Sequence, residues 1–289
     1  MPELPEVETI ARQLDRTLRG KKIVGVEVLR TKSFVGKEKE LEGRKIKRVG
    51  REAKMIVVEF FSWDKVLVIH LKMTGQLVWR PKNWDIAHIK REVAGGHPSE
   101  DWIKELPDKH TRVVIDFSDK SRLFFNDLRV FGWMKIITRD QWLELREGLP
   151  PDVVDKEFSL EYFMRILRGS GRAVKLVVMD SQKIGGAGNI YANDALNLAK
   201  IDPRRSAKSL SAEEIKKLYE ALKKVIKLGI KYGGATYSSF RDTRGLGGKY
   251  QDHFLTYKRE GEKCKNCRGK IKKVKLGGRG TYYCPGCQI

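Results

Sequence analysis

Four cysteines stand in two Cys-x-x-Cys pairs, Cys264 with Cys267 and Cys284 with Cys287, separated by sixteen residues. Two tight turns at that spacing can deliver four thiolates to one tetrahedral ion, and four sulfurs leave no open position for water. One structural Zn2+ is therefore expected, in a reducing compartment, in preference to disulfides. Lys265 lies within the first pair, and Arg268, Lys270, Lys272, Lys273, Lys275 and Arg279 lie between the pairs. A ribbon so charged is suited to phosphates.

At the other end of the chain, removal of Met1 would leave Pro2 with a free secondary amine beside the carboxylate of Glu3. An α-amino group has a reference pKa near 7.7–8.0, so a neutral, nucleophilic fraction exists at physiological pH. Condensed with a sugar aldehyde, a secondary amine forms a charged iminium, an electron sink for elimination of neighbouring phosphates. Taken alone, proline at position two is commonplace. A third stretch, Gly185-Gly186-Ala187-Gly188-Asn189-Ile190-Tyr191, is a glycine-rich turn opening a helix. Its backbone N–H groups and Asn189 could hold a phosphate; a tight turn between packed helices is the plainer alternative.

These residues need elements to position them. Val7, Ile10, Leu14 and Leu18 are spaced by three and four, which predicts one amphipathic helix over 5–18, with Pro5 in its first turn. Short β-rich runs follow at 23–29, 55–61, 66–71, 113–117, 123–125 and 133–137, which suggests a sandwich or barrel-like β domain. Helical periodicity takes over near Asp140, with helices expected at 160–167, 190–198 and 212–232, the last opened by a Ser211/Glu214 capping box. Leu149-Pro150-Pro151-Asp152 separates the two regimes. The fold class expected is multidomain α+β. The stretch 241–248, rich in glycine and charge, reads as a mobile loop.

The chain has 289 residues, enough for proper cores, and its 59 Lys and Arg outnumber 37 Asp and Glu for a formal charge of +22. So one-sided an excess points to a polyanion and does not match the paired Lys and Glu enrichment of thermophiles. No apolar run reaches the ~18 residues that span a bilayer, and the first residues are acidic, so neither membrane insertion nor export is expected. The cytoplasm is the expected address, with nucleoid association in a prokaryote.

Several ordered segments are similar to one family: Met1-Pro2-Glu3-Leu4-Pro5-Glu6-Val7-Glu8-Thr9, Ala53-Lys54, His70-Leu71-Lys72-Met73-Thr74-Gly75, Phe125-Asn126-Asp127-Leu128-Arg129-Val130-Phe131-Gly132, Gly188-Asn189-Ile190-Tyr191-Ala192 and Arg279-Gly280-Thr281-Tyr282-Tyr283-Cys284-Pro285. They span the whole chain and resemble formamidopyrimidine-DNA glycosylase. Leu4 and Val7-Glu8-Thr9 favour the oxidised-purine branch over endonuclease VIII. The resemblance implies an N-terminal catalytic β-sandwich with flanking helices (1–138), a linker (139–155), a helix-two-turn-helix domain (156–260) and a zinc finger (261–289). Its implied partner is damaged double-stranded DNA, bound by a monomer.

The resemblance also implies roles: Pro2 as nucleophile, Glu3 as the acid assisting sugar-ring opening, and Lys54 as a catalytic contact to base and phosphate. Met73, Arg129 and Phe131 match residues that fill the gap left by a flipped nucleotide. Lys175, Asn189 and Arg279 match phosphate-binding positions, Arg279 also in late elimination, and His110 matches a DNA-contacting histidine. A glycosylase must extrude its target and support the vacated stack, for which apolar or planar groups and a cation are suited. For Met73 and Phe131 ordinary core packing is the alternative, and for His110 a structural role. Glu6 leans toward the active site, whereas Glu8 reads as a helix N-terminal carboxylate. Leu128 and Val130 depart from the proline and second arginine common in the family, and the segment 79–106 looks long. The implied activity is excision of 8-oxoguanine and formamidopyrimidines with β,δ-elimination. Oxidised-pyrimidine excision and catalytically silent DNA binding are the rivals.

Overall fold

The computed structural model describes residues 2–82, 106–235 and 248–289. The expectations for the 241–248 loop and the long 79–106 segment fall largely outside these residues, at 241–247 and 83–105. The chain divides into two compact units, Met1–Gly148 with Tyr232–Lys249, and Leu149–Lys231 with Tyr250–Ile289.

In the first unit, α1 (Leu4–Leu18) lays Val7, Ile10, Ala11, Leu14 and Leu18 into a core shared with two sheets. Four antiparallel strands form one sheet in the order β1 (Ile23–Val28), β7 (Thr111–Phe117), β8 (Arg122–Asp127), β6 (Gly75–Arg80). The other has the order β2 (Phe34–Val35), β9 (Trp133–Thr138), β5 (Lys65–His70), β4 (Met55–Phe60), β3 (Ile46–Glu52). Leu77, Val113, Ile115 and Phe125 from the first meet Ile56, Val58, Leu67 and Ile69 from the second, which makes a sandwich. The sandwich strands are followed by α2 (Arg139–Glu147), whose Thr138 and Gln141 form a capping box and which buries no residue.

The second unit is helical: α3 (Leu160–Arg168), α4 (Val174–Val178), α5 (Asn189–Leu198) and the twenty-residue α6 (Ala212–Lys231). Asp194, fully buried on α5, accepts from the backbone N–H groups of Leu255 (3.1 Å), Thr256 (2.9 Å) and Tyr257 (3.3 Å). It thereby anchors the segment that leads into a two-stranded hairpin, β10 (Lys272–Leu276) and β11 (Arg279–Tyr283). Gly277 and Gly278, both at positive φ, close that hairpin in two residues, the turn for which glycine is suited.

Candidate active site and nucleic-acid interface

Pro2 is buried and immediately precedes Glu3, the N-cap of α1. The carboxylate of Glu3 accepts from the backbone of Glu6, and Glu6 Oε2 accepts from the Glu3 N–H at 2.8 Å. The other oxygen of Glu6 accepts from the Ala235 N–H at 2.7 Å. Glu6 thus joins the chain start to a segment where Gly234 sits at positive φ and a Cβ would come within 2.8 Å of that carboxylate. Its capping is a local structural duty beside any part in chemistry.

Lys54 lies with Ala53 in the two-residue turn between β3 and β4, and Ala53 is held at φ +50. A half-buried ionic chain fixes this turn to the first helix. Arg51 Nε donates to Glu8 Oε2 at 2.7 Å while its Nη1 donates to the Ala53 carbonyl at 2.8 Å. Although burial opposes ionisation of Glu8, the guanidinium groups of Arg51 and Arg12 outweigh it and hold the carboxyl below its usual range. Glu8 is therefore more than a helix-dipole partner. At the end of β5, burial and then the cations of Lys72 and Lys54 push His70 down to about 4, and its Nδ1 accepts from the Lys72 N–H at 2.9 Å.

Met73 and Phe131 line one cavity of about 430 Å³ with Lys32, Lys72, Val130, Gly132 and Trp133. Phe131 is 50% exposed, so it is no ordinary core residue, and the Arg129 guanidinium stacks over its ring at 4.7 Å. Three neighbouring turns carry non-glycine residues at positive φ: Ala53, Lys72 and the β-branched Val130. Such conformations cost of order 1–3 kcal/mol and persist only where surroundings over-determine them. For the Lys72 and Val130 turns the restraining group is Asp127, fully buried at the end of β8. Its Oδ1 accepts from the Thr74 hydroxyl and from the Arg129 N–H (3.2 Å), and its Oδ2 from the N–H groups of Phe131 (2.8 Å) and Gly132 (2.6 Å). A Cβ on Gly132 would meet the Phe125 ring at 2.8 Å. Half-buried His110 sits beside this loop, its carbonyl accepting from the Asp127 N–H at 2.9 Å.

In the second unit Lys175, Asn189 and Arg279 meet at the hairpin. The Gly280 carbonyl accepts from Lys175 Nζ at 3.1 Å and from Asn189 Nδ2 at 3.2 Å, and Lys175 also donates to the Thr281 hydroxyl at 2.7 Å. Lys175 has no exposed surface, whereas Arg279, next to the turn, is exposed. In this conformation Lys175 braces the strand that presents Arg279. The glycine-rich turn before α5 is tightly packed, since a Cβ at Gly185 would lie 2.3 Å from Asp152.

The four cysteine sulfurs all lie within 4.8 Å of one another, with Cys264 to Cys287 at 3.8 Å and Cys267 to Cys284 at 3.4 Å. A tetrahedron with Zn–S bonds of about 2.3 Å has edges of about 3.8 Å, so the donors fit one zinc ion. The N–H groups of Asn266 and Gly269 donate to Cys264 and Cys267 sulfurs at 3.4 and 3.3 Å, as thiolates require. The ribbon's own apolar cluster is small, Ile271, Tyr282, Tyr257 and the cysteines, and polar bonds tie it to α5, as from the Tyr282 N–H to Asn193 at 2.7 Å and from Asn266 to Asn197 at 2.9 Å.

Thr74, Asp127 and Arg51 were passed over in the sequence. Asp127 gave one readable sign: an acceptor-only side chain at the end of an apolar strand, directly before a turn whose N–H groups need partners. Thr74 and Arg51 find their partners across 53 and 43 residues, beyond any local pattern.

Comparison with known proteins agrees along the whole chain. Residues 1–134 match the formamidopyrimidine-DNA glycosylase N-terminal domain, 149–241 the H2TH domain of the same enzymes, and 261–289 the zinc finger found in FPG and IleRS. A formamidopyrimidine-DNA glycosylase of Pelotomaculum thermopropionicum is 37% identical, covering 100% of this chain and 99% of its own. The Lactococcus lactis Fpg in complex with DNA containing N7-benzyl-Fapy-dG superposes with a TM-score of 0.84 at 31% identity, over 99% of both chains. The same enzyme with DNA containing an oxidised pyrimidine gives 0.84 at 31%, again over 99% of each. With a β-sandwich, an H2TH domain and a four-cysteine zinc finger in this order, the chain belongs to the formamidopyrimidine-DNA glycosylase family.

Proposed function

We propose that this protein is a monomeric, cytoplasmic glycosylase and lyase that acts on damaged double-stranded DNA, removing oxidised purines such as 8-oxoguanine and formamidopyrimidines. The observation that carries the reading is the rim of the first unit, where Met73, Phe131 and Arg129 gather on one cavity and one stacked pair. Two planar or apolar groups and a cation are what support a duplex after a nucleotide leaves the stack. Lys54, near His70 and Lys72, supplies positive charge for a phosphate or base. Arg279 and the lysines of the zinc ribbon contact backbone, with Asn189 and Lys175 setting the strand.

In the chemistry, the Pro2 nitrogen lone pair attacks the anomeric carbon, and the N-glycosidic bond breaks with the electron pair leaving on the base. Glu3 gives a proton to the sugar-ring oxygen as the ring opens. Loss of the C2′ proton sends its electron pair into the resulting iminium, the enamine so formed expels the 3′ phosphate, loss of the C4′ proton then drives out the 5′ phosphate, and water releases Pro2. Zinc, when bound, only stabilises the ribbon. Borohydride treatment should join the protein covalently to lesion-bearing duplex, and intact-mass measurement should find Met1 absent from every active preparation. Full activity in a preparation retaining Met1 throughout would sink the Pro2 mechanism.

A second reading, removal of oxidised pyrimidines, draws on the Lactococcus lactis complex with such DNA. A panel of lesion duplexes decides between the two. Absence of any covalent product would instead favour silent DNA binding.

A further inference from the structure

Two turns, far apart in sequence, carry the side chains assigned above to the vacated stack: 72–74 with Met73 and 128–132 with Arg129 and Phe131. A single buried carboxylate holds both. Asp127 takes four donors, two on each oxygen: the Thr74 hydroxyl and the Arg129 N–H on Oδ1, the Phe131 and Gly132 N–H groups on Oδ2. The Arg129 N–H also reaches Thr74 Oγ1 at 3.1 Å, which closes a three-member ring of hydroxyl, carboxylate and backbone. Each of the two turns it joins contains a residue at positive φ, Lys72 and Val130, so both depend on outside restraint.

We infer that Asp127 is a positioning residue for base extrusion, which makes Met73, Arg129 and Phe131 enter the stack as one body. This rests on the glycosylase reading for its biological meaning, although its mechanics do not. All four partners donate, so an ionised carboxylate satisfies every one. An amide in its place would turn one oxygen into a donor facing two donors, and the turn attached to that side would come free. Thr74 is the single link from this carboxylate to the Met73 turn that a side chain supplies among the described residues. Replacing it by valine keeps shape and removes the link.

The test uses a duplex carrying tetrahydrofuran, an uncleavable abasic analogue, with 2-aminopurine opposite it, so that the fluorescence change on binding reports insertion without any chemistry. Asp127→Asn and Thr74→Val should each reduce that amplitude and slow single-turnover excision of a real lesion by about tenfold or more, the scale of a lost charge-assisted bond. The double variant should be no worse than Asp127→Asn, and Thr74→Ser, which keeps the hydroxyl, should restore the signal. Borohydride trapping on a single-stranded abasic oligonucleotide, where no stack is vacated, should be unchanged in all variants. Normal insertion in Asp127→Asn or Thr74→Val, additive defects, or an equal loss of single-strand trapping would overturn the inference. Failure of the glycosylase reading would show separately, as absence of excision and trapping in the unaltered protein, while the insertion signal would still judge the coupling.

Discussion

Arg129 and Arg279 bear the same charge on surface turns built by opposite means. The Arg129 loop gathers its own N–H groups around one carboxylate, so its order comes from a buried acceptor inside a large sandwich core. The Arg279 strand is held from outside by donors, Lys175 and Asn189, reaching the Gly280 carbonyl, and by four thiolates beside a small apolar cluster. A loop of the first kind keeps its shape when a surface contact is lost. One of the second kind stands or falls with its metal. Under the function proposed here, this difference would suit an insertion element of fixed geometry and a phosphate clamp that need only be positive and near.

The sharpest way to break the comparison is to remove a thiolate. Cys284→Ser should lose zinc and most DNA affinity while leaving thermal unfolding of the sandwich nearly intact, because the ion supplies the folding energy of the ribbon. Metal analysis beside a binding titration checks this, and retained zinc with normal affinity would refute it. Next come the arginines themselves. Arg279→Ala should weaken binding to damaged and undamaged duplexes alike and flatten the salt dependence by about one unit. Arg129→Ala should spare undamaged binding and slow excision; identical salt titrations and single-turnover rates for the pair would end the division of labour.

Smaller effects test the supports. Lys175→Met keeps much of the buried volume but removes both hydrogen bonds of the ammonium to the hairpin, leaving that of Asn189. It should weaken binding less than Arg279→Ala, and it should add little to that variant when the two are combined. If the double variant instead shows the two losses summed, Lys175 acts on DNA separately from Arg279. The smallest effect is that of His70. Unfolded histidine binds a proton near pH 6.5 and the folded one near 4, so between these values the unfolded chain holds more protons. The contribution of neutral His70 is therefore full above pH 6.5 and lost as pH falls toward 4, by at most about 3 kcal/mol. Denaturant midpoints at pH 7.5 and 5 should differ less in His70→Gln than in the unaltered protein.

How far the sequence could be read follows the same divide. Elements with periodic burial were legible: the helix at 5–18 is Leu4–Leu18, and the expected 212–232 helix is Ala212–Lys231. β3, reading Ile-Lys-Arg-Val-Gly-Arg-Glu, escaped because it is a polar edge strand with a register shift. β6 escaped because it starts on a glycine, and α2 because none of its residues is buried. The zinc ligands were legible from spacing, since two turns determine where the sulfurs go. Lys175 was named, but its burial was not foreseen, because a lysine in sequence gives no sign of whether its ammonium meets water or a carbonyl. The carboxylates Asp127 and Glu8 also have local partners, but the bonds that tie separate segments together, to Thr74 and Arg51, span 53 and 43 residues.

Val130 is where this organisation has a measurable consequence for the evolution of the loop. At φ +54, a β-branched side chain forgoes of order 1–3 kcal/mol that glycine would recover, while glycine returns about 0.5–1 kcal/mol through the freedom of its unfolded chain. Selection for thermal stability alone would thus favour glycine here. A thermostabilised descendant obtained by random mutagenesis should accumulate changes at this tip early, and should pay for them in excision rate.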